Sequence, residues 1–284
     1  MEYPYLIDAI DAALLAGEEI MGIYDNPQSD FGIEHKADNS PLTMADKKAH
    51  AIIAHRLAST PYPLLSEEGK LLPYTERQKW TDLWIVDPLD GTKEFIKRNG
   101  EFTVNIALIH QDAPAMGIIY VPVKHVLYFA AQDLGAFRKD DIVSLNGQTL
   151  EDLLRTATRL PDTDKRHNNL IVVASRSHLT TETQTYINDL KEQYNDVVLA
   201  SSGSSLKICM IAEGMADVYP RFAPTMEWDT AAGHAIVRAT GGEIWQAQEN
   251  APLRYNKENL LNPWFIVLPA DTGKNSFIKK TLTP

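Results

Sequence analysis

Apolar and small residues at Ile7, Ile10, Ala13, Leu14, Gly17 and Met21 recur at helical spacing. This predicts an amphipathic helix over about residues 4–24, ended by the turn-rich stretch from Asp25 to Asp30. A second helix is expected from near Thr43 through Ala49, Ile52, Ile53 and Leu57, stopped before Pro61. Short apolar runs then take over. Tyr62–Leu65 and Leu83–Val86 read as buried strands. Phe102–Ile109, Met116–Val121 and Val126–Ala130, separated by turn signals, read as an antiparallel meander. The later chain alternates. Strands are expected at Leu170–Val173, Val197–Leu199 and Trp264–Leu268. Helices are expected over about 179–193, at Leu206–Ala212 after Gly203, and at Thr230–Ala239, the last closed by Gly241-Gly242.

A β-rich first half with flanking helices, followed by alternating β and α, predicts an α+β or layered α/β chain. The charged stretch Pro161–Asn169 is the expected boundary between an N-terminal α+β region, 1–160, and a C-terminal α/β region, 161–284. The 284 residues are 44% hydrophobic and 23% charged, which excludes a disordered tail or a fibrous repeat. A formal charge of −11 argues against long nucleic acids as partners. It leaves room for a small phosphorylated ligand held by local cations or metal ions. One cysteine, Cys209, permits neither an intrachain disulfide nor a cysteine-based zinc site, and its apolar neighbours make it a core residue. Asp8, Asp11, Glu18 and Glu19 interrupt the N-terminal apolar residues, and no run approaches the ~18 needed to span a bilayer, so a cytoplasmic protein is expected.

Three segments carry candidate chemistry. In Trp84-Ile85-Val86-Asp87-Pro88-Leu89-Asp90-Gly91-Thr92, an apolar strand delivers two carboxylates three residues apart. Hard oxygens at a strand end suit Mg2+, and Gly91 permits a tight turn or a close approach by phosphate. Read alone, the segment is equally a surface turn, since Asp-Pro and Asp-Gly are both turn dipeptides. Leu64-Leu65-Ser66-Glu67-Glu68-Gly69 is again an apolar strand ending in acids, and alone reads as a solvated loop. In Glu227-Trp228-Asp229-Thr230-Ala231-Ala232-Gly233, Asp229 is an N-cap or first-turn acid of a helix whose small residues allow close packing.

Together, and in this order, Glu67-Glu68, Asp87-Pro-Leu-Asp90-Gly-Thr92 and Trp228-Asp229 with Ala232-Gly233 resemble the signatures of the inositol monophosphatase superfamily. The resemblance covers nearly the whole chain and is closest to its bacterial 3′(2′),5′-bisphosphate nucleotidases. Gly91–Ile96, Gly100–Asn105, Ser175–His178, Gly203–Lys207 and Tyr219–Phe222 carry that narrower match. It implies a layered α/β/α/β/α sandwich with the active site between two regions, and a lithium-sensitive phosphatase using two or three Mg2+ ions. Glu67, Asp87 and the Leu89 carbonyl would hold one ion, and Asp87, Asp90 and Asp229 a second. Glu67, Thr92 and Asp46 would form the catalytic group, with Thr92 orienting a water and Asp46 accepting its proton. The Gly91 and Thr92 backbone would hold the phosphate, with Asp229 also at the substrate. Ser175, His178, Gly203, Lys207 and Arg221 would meet the rest of the molecule, and Lys93, Lys97 and Arg98 would stand near the entrance. From the residues alone, Asp46 is a polar residue in an early helical turn, and Lys207 could equally be solvated. The implied reaction converts adenosine 3′,5′-bisphosphate to AMP and phosphate, with the 3′-phosphorylated sulfate donor as a second substrate, in sulfur metabolism. The implied partner is this small molecule, with no nucleic acid, no obligatory protein partner and at most loose peripheral membrane association. An inositol or sugar phosphatase, and a silent nucleotide- or Mg2+-binding protein, are the alternative readings.

Overall fold

The computed structural model describes residues 3–26, 31–35, 41–162, 169–175, 179–270, 272–273 and 276–278. Helix α1 (Leu6–Tyr24) is followed by a small hairpin of β1 (Glu34–His35) and β2 (Pro41–Leu42), then by α2 (Met44–Leu57). Next come β3 (Leu64–Ser66), α3 (Tyr74–Arg77), β4 (Asp82–Asp90), α4 (Thr92–Ile96), β5 (Thr103–His110), β6 (Ala113–Val121), β7 (Val126–Ala131), β8 (Gly135–Lys139), α5 (Leu150–Thr156) and β9 (Thr158–Leu160). The later chain gives β10 (Leu170–Ala174), α6 (Thr181–Gln193), β11 (Val197–Ser201), α7 (Leu206–Glu213), β12 (Tyr219–Arg221), α8 (Glu227–Ala239), β13 (Glu243–Gln246) and β14 (Phe265–Leu268).

The first sheet has seven strands in the order β3-β4-β5-β6-β7-β8-β9. β3 runs parallel to β4 and every other neighbour is antiparallel, so the expected meander forms and is longer than the apolar runs alone predict. Strand alternation divides its apolar side chains between two cores. Trp84, Val86, Val104 and Ile118 pack under α1 and α2 on one face. Leu83, Ile85, Ala107 and Ile119 pack on the other against α7 and α8, whose far sides meet Val173, Tyr219 and Phe265. These last residues belong to the later strands, where β10 pairs with β11 in parallel, β12-β14-β13 is antiparallel, and a Val172–Val218 bridge joins the two sheets. A third core, with Tyr186, Ile187 and Leu190 of α6 against Val172, Ile266 and Leu268, covers the outer face. Reading through the three cores gives the layers α/β/α/β/α.

α8 approaches the first sheet almost backbone to backbone. A Cβ placed on Gly117 of β6 would lie 2.2 Å from the Ala232 carbonyl oxygen, and one on Gly233 would lie 2.8 Å from Ile208 of α7. Glycine at both positions lets the central helix layer seat on the sheet. α8 begins at Glu227, three residues before the expected start, which places Asp229 in its first turn. The expected boundary stretch 161–169 falls mainly on residues outside those described. Cys209 is buried, as expected. Among the described residues no helix is long and apolar enough to cross a membrane.

Candidate active site

The site forms where β4 ends. Its register with β5 shifts between Asp87 and Asp90, and Gly91 follows in the left-handed region at φ 97°. A side chain there would also press on the Glu101 carbonyl oxygen, 3.1 Å from a built Cβ, so this turn needs glycine. Thr92 then opens α4. Parallel pairing carries Glu67 alongside, since its N–H donates to the Val86 carbonyl at 3.1 Å. Asp87 is 2% exposed and accepts the Leu89 N–H at 3.1 Å.

Two helix starts supply further acids by the same device. Asp229, in the first turn of α8, accepts the Met226 N–H at 2.9 Å. Asp46, in the first turn of α2, accepts the Thr43 N–H at 2.8 Å and its hydroxyl at 2.5 Å. A carboxylate at the third helical position caps free N–H groups and sits well in the helix dipole. The other Asp46 oxygen accepts the Thr92 hydroxyl at 3.2 Å. Asp46 is 1% exposed, and only the fold joins it to Thr92.

Asp90 receives more donors. Its Oδ2 accepts hydroxyls from Ser204 at 2.6 Å and Ser205 at 2.8 Å, and the Asn105 amide at 3.3 Å. The Ser205 hydroxyl, with one proton to give, also lies 3.0 Å from the Asp229 backbone carbonyl, which sets the two acids' segments side by side.

Burial, reinforced by the charges of Glu67, Asp90, Asp229 and Asp46, holds the Asp87 carboxyl well above the ordinary range. Burial and then Asp90 push Asp229 up to about 8, against the opposing pull of the Met226 N–H and Arg221. Among the described residues no three His, Cys, Asp or Glu side chains are already gathered into a metal-holding group. The fit to a cation lies instead in their shared field, since Glu67, Asp90, Asp229 and Asp46 all disfavour the Asp87 charge, and Asp90 and Glu67 disfavour that of Asp229. Hard oxygen donors of this kind suit Mg2+.

A cleft of about 520 Å³ opens above these acids. Glu67, Asp90, Gly91, Thr92, Ser175, Gly203, Lys207, Arg221 and Asp229 all line it, while His178 lies outside the described residues. Asp46, Asp87 and Leu89 are buried. Lys207 is not solvated. It is 5% exposed and its Nζ donates to the carbonyls of Ser202 at 3.2 Å and Ser204 at 2.6 Å, above the Tyr219 ring. Burial pulls it down to about 8. Arg221 donates from Nη2 to the Pro224 carbonyl at 3.2 Å, and its Nε is buried with no hydrogen-bond partner. Lys93 and Lys97 line the cleft, whereas Arg98 turns back to the carbonyls of Tyr24 and Asn26. Sequence reasoning assigned no role to Thr103, Asn105, Ser204, Ser205 or Glu101, whose Oε2 accepts the Gly203 N–H at 2.8 Å. The available signal was a pair of polar residues, Thr103 and Asn105, within an otherwise apolar strand.

A layered sandwich with an acidic cleft at the end of β4 defines the class, and this chain belongs to the inositol monophosphatase family, whose model matches residues 3–276. Among its relatives, the 3′(2′),5′-bisphosphate nucleotidase CysQ of Escherichia coli (strain K12) is 45% identical over 258 residues, covering 89% of this chain and 94% of that protein. The protein of the same name from Haemophilus influenzae is 31% identical, covering 93% and 91% respectively. The crystal structure of CysQ from Bacteroides thetaiotaomicron superposes with a TM-score of 0.88 at 60% identity, covering 94% of this chain and 97% of that one.

Proposed function

We propose that this chain is a Mg2+-dependent 3′(2′),5′-bisphosphate nucleotidase. It removes the 3′-phosphate of adenosine 3′,5′-bisphosphate, giving AMP and inorganic phosphate, and acts in sulfur metabolism. 3′-Phosphoadenylyl sulfate is its second substrate. The observation that carries this reading is the set of mutually repelling carboxylates beside the Thr92–Asp46 pair, in a chain 45% identical to a bisphosphate nucleotidase over most of its length.

Glu67, Asp87, the Leu89 carbonyl, Asp90 and Asp229 would hold Mg2+, which when bound neutralises charge on the phosphate oxygens. The chain's own residues do the rest. Thr92 donates its hydroxyl proton to Asp46, so the Thr92 oxygen is left to accept a hydrogen bond from a water entering from the cleft. As that water attacks phosphorus, its proton passes to Thr92 and the threonine proton to Asp46, while the P–O3′ bond breaks and the ester oxygen leaves as the 3′-oxygen of AMP, taking a proton from water in the cleft. The Gly91 and Thr92 backbone at the start of α4 receives the phosphate, because the first N–H groups of a helix have no partner within it. Arg221 has a donor to spare for the 5′-phosphate, with Lys93 and Lys97 nearby. Ser175 and Gly203 frame the nucleoside. Lys207 acts by holding the turn that bears Gly203, in addition to any charge it offers the substrate. The small-molecule substrate is the only partner this reading requires, and a cytoplasmic location belongs to it.

The test is phosphate release from adenosine 3′,5′-bisphosphate, inositol 1-phosphate and fructose bisphosphate measured side by side with Mg2+. The nucleotide should give the highest kcat/KM. A preference for either sugar phosphate would replace this reading with that of a sugar phosphatase.

A further inference from the structure

One oxygen of the cleft is crowded. Asp90 Oδ2 accepts the hydroxyls of Ser204 and Ser205 and the amide of Asn105. The donors are themselves fixed. Asn105 also donates to the Ser205 hydroxyl at 2.9 Å, Thr103 donates to Asn105 Oδ1 at 2.8 Å, and the Thr103 and Ser204 hydroxyls are 2.7 Å apart. Thr103, Asn105 and Ser205 are all at most 3% exposed. Lys207 clamps the same turn from below through the Ser202 and Ser204 carbonyls. A carboxylate oxygen has two lone-pair positions, and the single Ser205 proton goes either to Asp90 or to the Asp229 carbonyl, so Ser204 and Asn105, with or without Ser205, fill Oδ2. Among the described residues Oδ1 accepts no hydrogen bond, and Asp90 lines the cleft.

We propose that Ser204, Ser205 and Asn105, braced by Thr103, are positioning residues that cap Asp90 Oδ2 and so restrict Asp90 to one-oxygen coordination, which selects Mg2+ over Ca2+. The inference rests on the assignment of Asp90 as a cation ligand. Mg2+ demands near-ideal octahedral geometry with short contacts from single oxygens. Ca2+ is larger, takes six to eight ligands, and gains from carboxylates that offer both oxygens. A capped Oδ2 withholds the second oxygen from Ca2+ while leaving Oδ1 for Mg2+. The selectivity then originates outside the ligand set, in a turn and a strand that touch no cation.

The test is calorimetric titration of the metal-free full-length protein with Mg2+ alone and Ca2+ alone, without substrate. In the Ser204→Ala, Ser205→Ala double variant, the ratio of the Ca2+ to the Mg2+ dissociation constant should fall about tenfold, the effect of roughly one hydrogen bond to a charged group. Thr103→Val keeps the shape, removes no side-chain hydrogen bond to Asp90 although the two residues are register partners across β4 and β5, and should shift the ratio the same way by about two- to threefold. If the double variant gives no cooperative melt, Thr103→Val decides the question alone. Equal changes in both dissociation constants, or an unchanged ratio, overturn the proposal, because a merely structural role weakens both ions alike. Asp90→Asn separates the underlying assignment. Weakened binding of both ions upholds Asp90 as a ligand, and unchanged Mg2+ binding overturns that assignment and the selectivity proposal with it.

Discussion

Helix α8 carries two acids two residues apart, and the protein treats them in opposite ways. Glu227 is fully buried and surrounded by donors: Lys257 Nζ at 2.5 Å, the Lys257 N–H at 3.0 Å and the Asn256 N–H at 2.6 Å. Beside it Tyr255 and Asn262 both donate to the Thr230 hydroxyl, and Arg77 ties the 256–258 segment to α3. Asp229 receives one backbone N–H and some of the Arg221 charge, and otherwise faces Asp90 and Glu67. Burial raises the pKa of both carboxyls, but around Glu227 every further interaction lowers it, whereas around Asp229 neighbouring acids raise it further. One side of the helix is neutralised from within and anchors the fold. The other leaves an acid facing further acids, the arrangement expected of the proposed cation site.

The sharpest way to break this contrast is Asp87→Asn, which removes a charge that burial and four neighbouring acids all disfavour. Turnover should fall by several orders of magnitude at saturating Mg2+, while the metal-free protein should melt no lower than the parent. Near-normal turnover would mean that Asp87 is no part of the cation site. Thr92→Ala and Asp46→Asn should each reduce kcat by about 10²–10⁴-fold, the usual contribution of general-base assistance. Because their side chains are hydrogen-bonded, the double variant should be little worse than either single one. Fully additive losses would show that they act separately.

The opposite side of α8 gives the reverse outcome. Glu227→Gln leaves Lys257 and two N–H groups with a weaker partner and should cost about 2–3 kcal/mol in denaturant unfolding. Activity under conditions where the variant is folded should stay within a few-fold of the parent. A large loss of kcat without loss of stability would erase the distinction between the two sides. Proton linkage sharpens it further. Asp87 and Asp229 keep their protons in the fold above the pH at which an unfolded chain releases them. Between about pH 4 and 8 the metal-free fold therefore binds more of these protons than the unfolded chain, and their stabilising contribution is lost as pH rises through the folded-state values. Melting of metal-free protein at about pH 6 and 8.5 should show a drop that Mg2+ flattens, since a bound cation takes over from the protons. A metal-free melting temperature that rises over this interval would contradict the assigned direction. The smallest effect is expected at Arg221→Ala. It should lower the preference for adenosine 3′,5′-bisphosphate over adenosine 3′-monophosphate by about tenfold, measured as a ratio of kcat/KM values.

The two sides also differ in how well they can be read from sequence. Glu67, Asp87, Asp90 and Asp229 stand out because strand ends and a helix start display them within short motifs. Asp46 does not, since a first-turn acid after Thr43 is what any capped helix shows, and its link to Thr92 bridges 46 residues. Ser204, Ser205 and Asn105 converge on Asp90 only in three dimensions, across about 100 residues. Long apolar elements such as α1, β5 and β6 are legible because burial dictates their period. β8 mixes Gly135 with Arg138 and Lys139, β9 has three residues, and β12 contains Pro220, so none carries a strand pattern of its own. They are strands because neighbours offer hydrogen bonds. Lys207 illustrates the same limit in charge, since a lysine opening a helix looks exposed until the fold sets two carbonyls against its ammonium.

The seat of α8 on Gly117 has a consequence for tolerance to change. Ala232 rests on that glycine three residues beyond Asp229, so the sheet acts as a gauge block that fixes how far Asp229 stands from the acids of β4. Adding a single methyl group at position 117 would lift the helix and widen that spacing without touching substrate, cation or any acid. A lesion there would have the kinetic signature of a lost ligand while every ligand remained in the sequence. Residue 117, in the middle of a buried strand, therefore belongs to the working dimensions of the cleft as much as to its support.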